Sequence, residues 1–418
     1  MGSLEAFGRR VQVMSRRLRR MATWIACPVD RRTWMVAVLL AGGAPLIGPH
    51  VVGNWAPTGA LRFGRALQSA TLLRDGEVLV VGGEGDSIDG GGAFPPLASA
   101  EIYAPRQGRW RATAAMAYPR EEHMAVLLPD GRVLVAGGRA GLDATTLASA
   151  EIYDPRRAAW ARTGSMRDAR YAAAVASLPN GEVLIAGGEG KGLGPLSHPL
   201  RGAELYDPRR GIWRRTGAMH VARVDAAAAI LPDGRVLVMG GDDSYEHVVA
   251  TAEVYDPRRG TWTLTTPVHG ARAQAEATTL VDGRVLVAGG VTFAGPADGR
   301  PYAIPADGCE IYDPRRATWT RTGSLLNARF GQGQVRLRNG RVLVAGGGGF
   351  VDGETTTLDD AEVYDPVRGT WVYAGRTSTH RSGQTATLLA DGRVMVVGGL
   401  LNEYFNGSPL RNVDIFTP

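Results

Sequence analysis

One frame of fixed spacing recurs seven times along this chain: an arginine, eleven residues later the glycine of an Asp-Gly or Asn-Gly turn, and six residues after that a Gly-Gly doublet. The arginines are Arg65, Arg120, Arg170, Arg223, Arg272, Arg329 and Arg381, and the doublets begin at Gly82, Gly137, Gly187, Gly240, Gly289, Gly346 and Gly398. A frame kept this strictly is an internal repeat, so the chain folds by stacking copies of one supersecondary unit.

Each copy continues in the same way. A loop of varying length follows the doublet, then a strand of the type Ala-Glu-Ile-Tyr-Asp-Pro, then a tryptophan seven residues past the tyrosine, as in Tyr103 and Trp110, Tyr153 and Trp160, or Tyr255 and Trp262. Runs such as Arg132-Val-Leu-Val-Ala136 have the length and bounding turns of strands. The Asp-Gly turns suit tight hairpins because glycine accepts the positive φ that these require. Asp-Pro-Arg-Arg-Gly sets φ with proline and closes on glycine. Four strands per copy and a period of about 50 residues predict an all-β propeller.

These features together, a Gly-Gly doublet followed by a tyrosine and a tryptophan separated by six residues, resemble the Kelch-repeat β-propeller family over residues 54–418. The seventh copy departs from the pattern: it reaches Asp414-Ile-Phe416 and stops before a tryptophan strand. The segment from Asn54 through Trp55 to Gly59 matches Trp160-Ala-Arg-Thr-Gly164 instead. The expected architecture is therefore a seven-bladed propeller in which the N-terminal strand completes the last blade. Closure of that kind removes exposed sheet edges.

Residues 1–53 read as a separate leader. They hold eight arginines against Glu5 and Asp30, which accounts for the whole formal charge of +6 and leaves 54–418 neutral. No diffuse basic footprint remains on the domain, which argues against nucleic acid. An arginine-rich stretch, an apolar centre from Trp34 to Leu40 and a small-residue site at Val51-Val-Gly53 fit an export signal. The expected location is secreted or in the cell envelope, with membrane association through the leader if it is retained. In that case the repeated turns, with pairs such as Arg156-Arg157, face the lipid. Only Cys309 remains outside the leader, so no internal disulfide is expected.

Turns that repeat are scaffold, and loops that differ are where specificity resides. The repeated arginines and the glutamates two residues before each tyrosine, from Glu101 to Glu362, are accordingly read as structural. The residues just after each arginine do not repeat and converge on the channel mouth. Glu122, His123, Tyr171, Asp225, Gln274, Glu276, Gln332 and Gln384 are the ligand-binding candidates, a set of carboxylates, amides and rings that suits a polar ligand. Glu122 and His123, as neighbours on a strand, are expected to point to opposite sides. No catalytic residue, metal or other cofactor is assigned. The alternative metal set is His220, His247 and His269, whose imidazoles are suitable ligands but lack a fixed spacing.

The sequence favours a monomeric binding module that presents its variable face to a glycan, peptide or protein. The alternative is a carbohydrate-active enzyme, an epimerase, mutarotase or oxidase, with its site at the channel mouth. Fold does not choose between them.

Overall fold

The computed structural model describes residues 52–87, 94–141, 145–190, 198–244, 247–294, 302–351, 354–401 and 407–418. Residues 1–51 of the leader, with its arginine-rich stretch and apolar centre, lie outside the described residues. Every regular element among the described residues is a strand.

Each repeat folds into a four-stranded antiparallel sheet whose strands pair in sequence order. In the first repeat Ser69–Leu72, Val78–Val81, Ala100–Ala104 and Arg109–Thr113 lie side by side. In the fourth, the same places are taken by Ala227–Ile230, Val236–Met239, Ala252–Asp256 and Thr261–Leu264. The last repeat supplies Thr385–Leu388, Val394–Val397 and Val413–Thr417. Its fourth strand comes from the other end of the chain, Asn54–Pro57, with Trp55 opposite Phe416. Those two rings sit 5.0 Å apart, the same centroid separation as Tyr103 and Trp110. The first strands of successive repeats lie against one another, and Ser69–Leu72 also lies against Thr385–Leu388.

The second strand of every repeat is buried at all four positions. It is bonded on both edges and covered on both faces, which is why its sequence is a continuous aliphatic run. Val236 and Val238 of the fourth repeat, for example, pack with Leu184, Leu205 and Met219 of the third. Each such side chain contributes about 1.5–3 kcal/mol.

A polar clamp recurs inside this apolar frame. Arg223 donates from Nη1 to the carbonyls of Gly240 at 2.7 Å and Thr251 at 3.0 Å, and from Nη2 to Glu253 at 2.9 Å. The Glu253 carboxylate also accepts the backbone N–H groups of His220 and Val221. Arg65 with Glu101, Arg120 with Glu151, Arg170 with Glu204, Arg272 with Glu310 and Arg329 with Glu362 repeat the pairing, and Asp414 replaces the glutamate opposite Arg381. The arginines and glutamates thus stand where a structural role requires: paired, hydrogen-bonded and sealed from water.

The outer strand is tied across the boundary between repeats. Trp213 Nε1 donates to the Gly164 carbonyl at 2.8 Å, and Trp262 does the same to Gly217 at 2.7 Å. Trp55 reaches Ala374 O at 2.7 Å, and Trp110 reaches Gly59 O at 2.6 Å just past the N-terminal strand.

Candidate functional site

The residue two positions after each repeated arginine has a left-handed backbone: Leu67, Glu122, Ala172, Asp225 and Gln274 have φ between 49° and 55°, and Gly331 and Gly383 have φ of 57° and 63°. For a non-glycine residue this conformation costs on the order of 1 kcal/mol or more. The kink turns the peptide out of its own sheet and aims its N–H at the neighbouring repeat. Glu122 donates to Leu67 O, Ala172 to Glu122 O, Asp225 to Ala172 O, and Gln274 to Asp225 O, each at 3.0–3.1 Å. Gly331 donates to Gln274 O at 3.4 Å, Gly383 to Gly331 O at 3.1 Å, and Leu67 to Gly383 O at 3.1 Å. The seven bonds form one closed circuit around the channel mouth.

This circuit frames a cavity of about 310 Å³ lined by Glu122, His123, Asp225, Glu276, Gln332 and Gln384 of the sequence candidates, together with Gln68 and the ring residues Leu67, Ala172, Gly331 and Gly383. No arginine or lysine lines it. Below it, a second cavity of about 380 Å³ is walled by alanines, Val126, Leu127, Val175, Ile230 and Ser177. Ala125 and Val175 line both, so the polar mouth continues into an apolar shaft.

Glu122 and His123 both line the cavity, contrary to the strand alternation expected of them. Alternation holds only for extended backbone, and Glu122 sits at the left-handed kink with φ 50°. Glu122 pairs with Arg139 at 3.0 Å, and Arg139 also holds Glu121 at 2.8 Å. His123 Nε2 shares a hydrogen bond with Ser69 Oγ at 2.8 Å. Burial, reinforced by the Arg120 charge, pushes its pKa down to about 3, so the ring is neutral at physiological pH.

Two candidates are placed differently. Tyr171 is buried beneath Arg139, whose guanidinium carbon lies 4.8 Å from the ring centroid, and does not line the cavity. Gln274 turns its amide to Asp225 at 3.4 Å and stays at the rim. Nearby, burial and the adjacent Glu121 push the Glu84 carboxyl well above its ordinary value, and the two acids hydrogen-bond to each other.

Glu276 projects into the cavity and remains accessible through it. Among the described residues nothing bonds or pairs with its carboxyl, and enclosure pushes its pKa up to about 7.

A third set sits three residues after each arginine. Gln332 Nε2 donates to Ala288 O at 2.9 Å, Gln384 Nε2 to Ala345 O at 2.7 Å, and Gln68 Nε2 to Val397 O at 2.8 Å. Each amide therefore bridges to the preceding repeat, lying over the first glycine of its doublet, where a Cβ would come within 2.8 Å of the amide nitrogen. Their Oε1 atoms have no hydrogen-bond partner. Gln68 escaped the sequence reading although it stands at the same offset from Arg65 as Gln332 does from Arg329.

The alternative metal set does not assemble. His220 Nδ1 is held by Glu253 at 2.8 Å and His269 Nδ1 by Glu310 at 2.7 Å, each within its own repeat's clamp, while His247 lies exposed on a separate hairpin. No group of three or more metal-ligating side chains is present among the described residues.

Comparison with known proteins places these features in context. A family description, Kelch motif, matches residues 123–167, 223–268 and 337–376. An F-box/kelch-repeat protein of Arabidopsis thaliana is 37% identical over 102 residues, which is 24% of this chain; the match spans about a quarter of that relative, 26% of its length. Among solved structures, a fungal alcohol oxidase of the AA5 family in complex with copper superposes with a TM-score of 0.69 at 18% identity, covering 88% of this chain and 76% of the oxidase. YjhT superposes with a TM-score of 0.57 at 14% identity, covering 75% of this chain and 98% of its own. Likeness at such identities is one of fold.

Proposed function

We propose that this chain, which carries Kelch motifs, is a seven-bladed propeller closed by its N-terminal strand, and that it works as an interaction module taking its ligand at the channel mouth. One observation carries the reading. The aliphatic second strands, the arginine clamps and the tyrosine–tryptophan pairs repeat from unit to unit, whereas the ring residues Leu67, Glu122, Ala172, Asp225, Gln274, Gly331 and Gly383 differ in nearly every unit and frame a cavity. A scaffold alone has no use for acids, amides and an unpaired carboxyl at these positions. The leader would export the module to the cell envelope and leave the variable face free for a protein or peptide partner.

The experiment is partner capture with the full chain and two variants. Asp225→Arg fills the mouth and reverses its charge, and should abolish capture. Arg258→Ala, in a repeated turn on the far face, should leave it intact. Capture that survives Asp225→Arg, or disappears with Arg258→Ala, would move the site away from the mouth.

A further inference from the structure

The acceptors of the mouth are concentrated on one arc. Glu276 belongs to the fifth repeat, Gln332 to the sixth, Gln384 to the seventh and Gln68 to the first, which adjoins the seventh. Gln332 is 2% exposed, and Gln68 and Gln384 are 6% exposed. The orientation of each amide is fixed, because its Nε2 is committed to a backbone carbonyl and a flipped amide would set oxygen against oxygen. Each Oε1 is left without a partner, and a buried acceptor in that state costs about 1–3 kcal/mol. The three glutamines share one cavity with a carboxyl that nothing among the described residues neutralises; their Oε1 atoms are covered, so the Glu276 carboxyl is the acceptor a ligand reaches.

The remaining charged and titratable groups at the cavity do not offset this. Glu122 is paired to Arg139, Asp225 accepts from Gln274, and His123 stays neutral. No positive side chain lines the cavity.

We infer that the mouth receives a cationic hydrogen-bond donor, an ammonium or guanidinium group, seated at the Glu276 carboxylate on the arc lined by Gln68, Gln332 and Gln384. The inference rests on reading the mouth as the binding site and names the chemistry that site selects. The apolar shaft below gives the methylene stem of such a ligand a place to lie. The cation could belong to a free amine or to a lysine or arginine side chain of a protein partner; both present the same group.

The test is calorimetric titration of the full chain with n-butylammonium, n-butanol and butyrate. The ammonium should bind, and its neutral and anionic isosteres should bind at least about tenfold more weakly. Its affinity should rise roughly tenfold between pH 6 and pH 8 as Glu276 ionises. Glu276→Gln should lose the ammonium preference, while Asp233→Asn in a repeated turn should keep it. Equal binding of butanol and butylammonium, a pH-independent affinity, or no saturable binding of the cation would each overturn the inference. The wild-type charge panel and pH profile decide even if the variant does not fold. N-acetyl-lysine methylamide distinguishes the sources: tighter binding than butylammonium assigns the cation to a protein side chain, and weaker binding assigns it to a free amine. Failure of this series alongside loss of partner capture in Asp225→Arg would leave the mouth as the site and remove only the cation.

Discussion

The backbone N–H of Leu67 donates to the carbonyl oxygen of Gly383 at 3.1 Å, joining the first repeat to the last. Two other contacts tie the N-terminal strand to the end of the chain: Trp55 Nε1 to Ala374 O of the sixth repeat, and the Trp55 ring against Phe416 of the seventh. The N-terminal strand is thus bonded as the outer strands of the other repeats are. Trp55→Ala should cost about 2–4 kcal/mol, matching Trp213→Ala, since each removes a large half-buried ring and one hydrogen bond. Guanidinium unfolding of the two variants checks this, and a Trp55→Ala variant as stable as the parent would make that strand an appendage.

The buried clamps predict a sharp asymmetry. Arg223→Met leaves the Glu253 carboxylate buried without its cation and should cost about 3–5 kcal/mol. Adding Glu253→Met should recover part of that loss, because the uncompensated charge goes with it. Denaturant midpoints of the two singles and the double decide, and strict additivity would count against coupling between the pair.

The same site sets an acid dependence. Burial pushes the Glu253 carboxyl up, but hydrogen bonds from His220, Val221 and Arg223 outweigh it and hold the pKa below its ordinary value. Its contribution is therefore present at neutral pH and lost as pH falls through the folded-state pKa. Glu276 has the opposite sign. With a folded pKa of about 7, its stability contribution is complete at low pH and is lost as pH rises toward and through 7. Glu276→Gln should raise Tm at pH 8 and change it little at pH 4, as thermal scans at the two values will show.

His123 occupies the position held by glutamine in the first, sixth and seventh repeats. His123→Gln should fold, donating to Val81 O as Gln68 does to Val397 O. The variant should also lose an acid sensitivity of the parent. A ring whose pKa falls to about 3 destabilises the fold as pH drops below its unfolded value, while glutamine has no proton to take up. Unfolding midpoints at pH 4 and pH 7 test both statements.

Two turns carry strain that glycine would relieve. Ala158 and Ala317 have φ of 48° and 54° where Gly108, Gly211, Gly260 and Gly369 stand in other repeats. Ala158→Gly and Ala317→Gly should each stabilise by about 0.5–1 kcal/mol, the relief of left-handed strain less the added flexibility of the unfolded chain. A loss of stability in either would mean that the backbone there is unstrained.

The repeat was legible because the doublets recur in all seven copies, and the clamps and tyrosine–tryptophan pairs change only in the last, where Asp414 and Phe416 take the places of glutamate and tyrosine. The pairing partner of Trp55 followed from a missing strand at one end and a spare one at the other. The mouth was legible only as a set of positions. Strand alternation misplaced Glu122 because the left-handed kink is a long-range effect: its reward is a hydrogen bond to the next repeat, which local sequence does not reveal. Tyr171 stands outside the cavity for a related reason, since Arg139, 32 residues earlier in the chain, covers it. Gln68 was available all along from its offset to Arg65.

Hydrogen exchange resolved at the seven ring amides, Leu67, Glu122, Ala172, Asp225, Gln274, Gly331 and Gly383, tests the account most directly. A closed ring predicts that all seven are protected to a similar degree and open together only on global unfolding, Leu67 included. An amide of Leu67 that exchanges orders of magnitude faster than those of Glu122 and Ala172 would mean an open seam between the first and last repeats and would contradict the closed mouth.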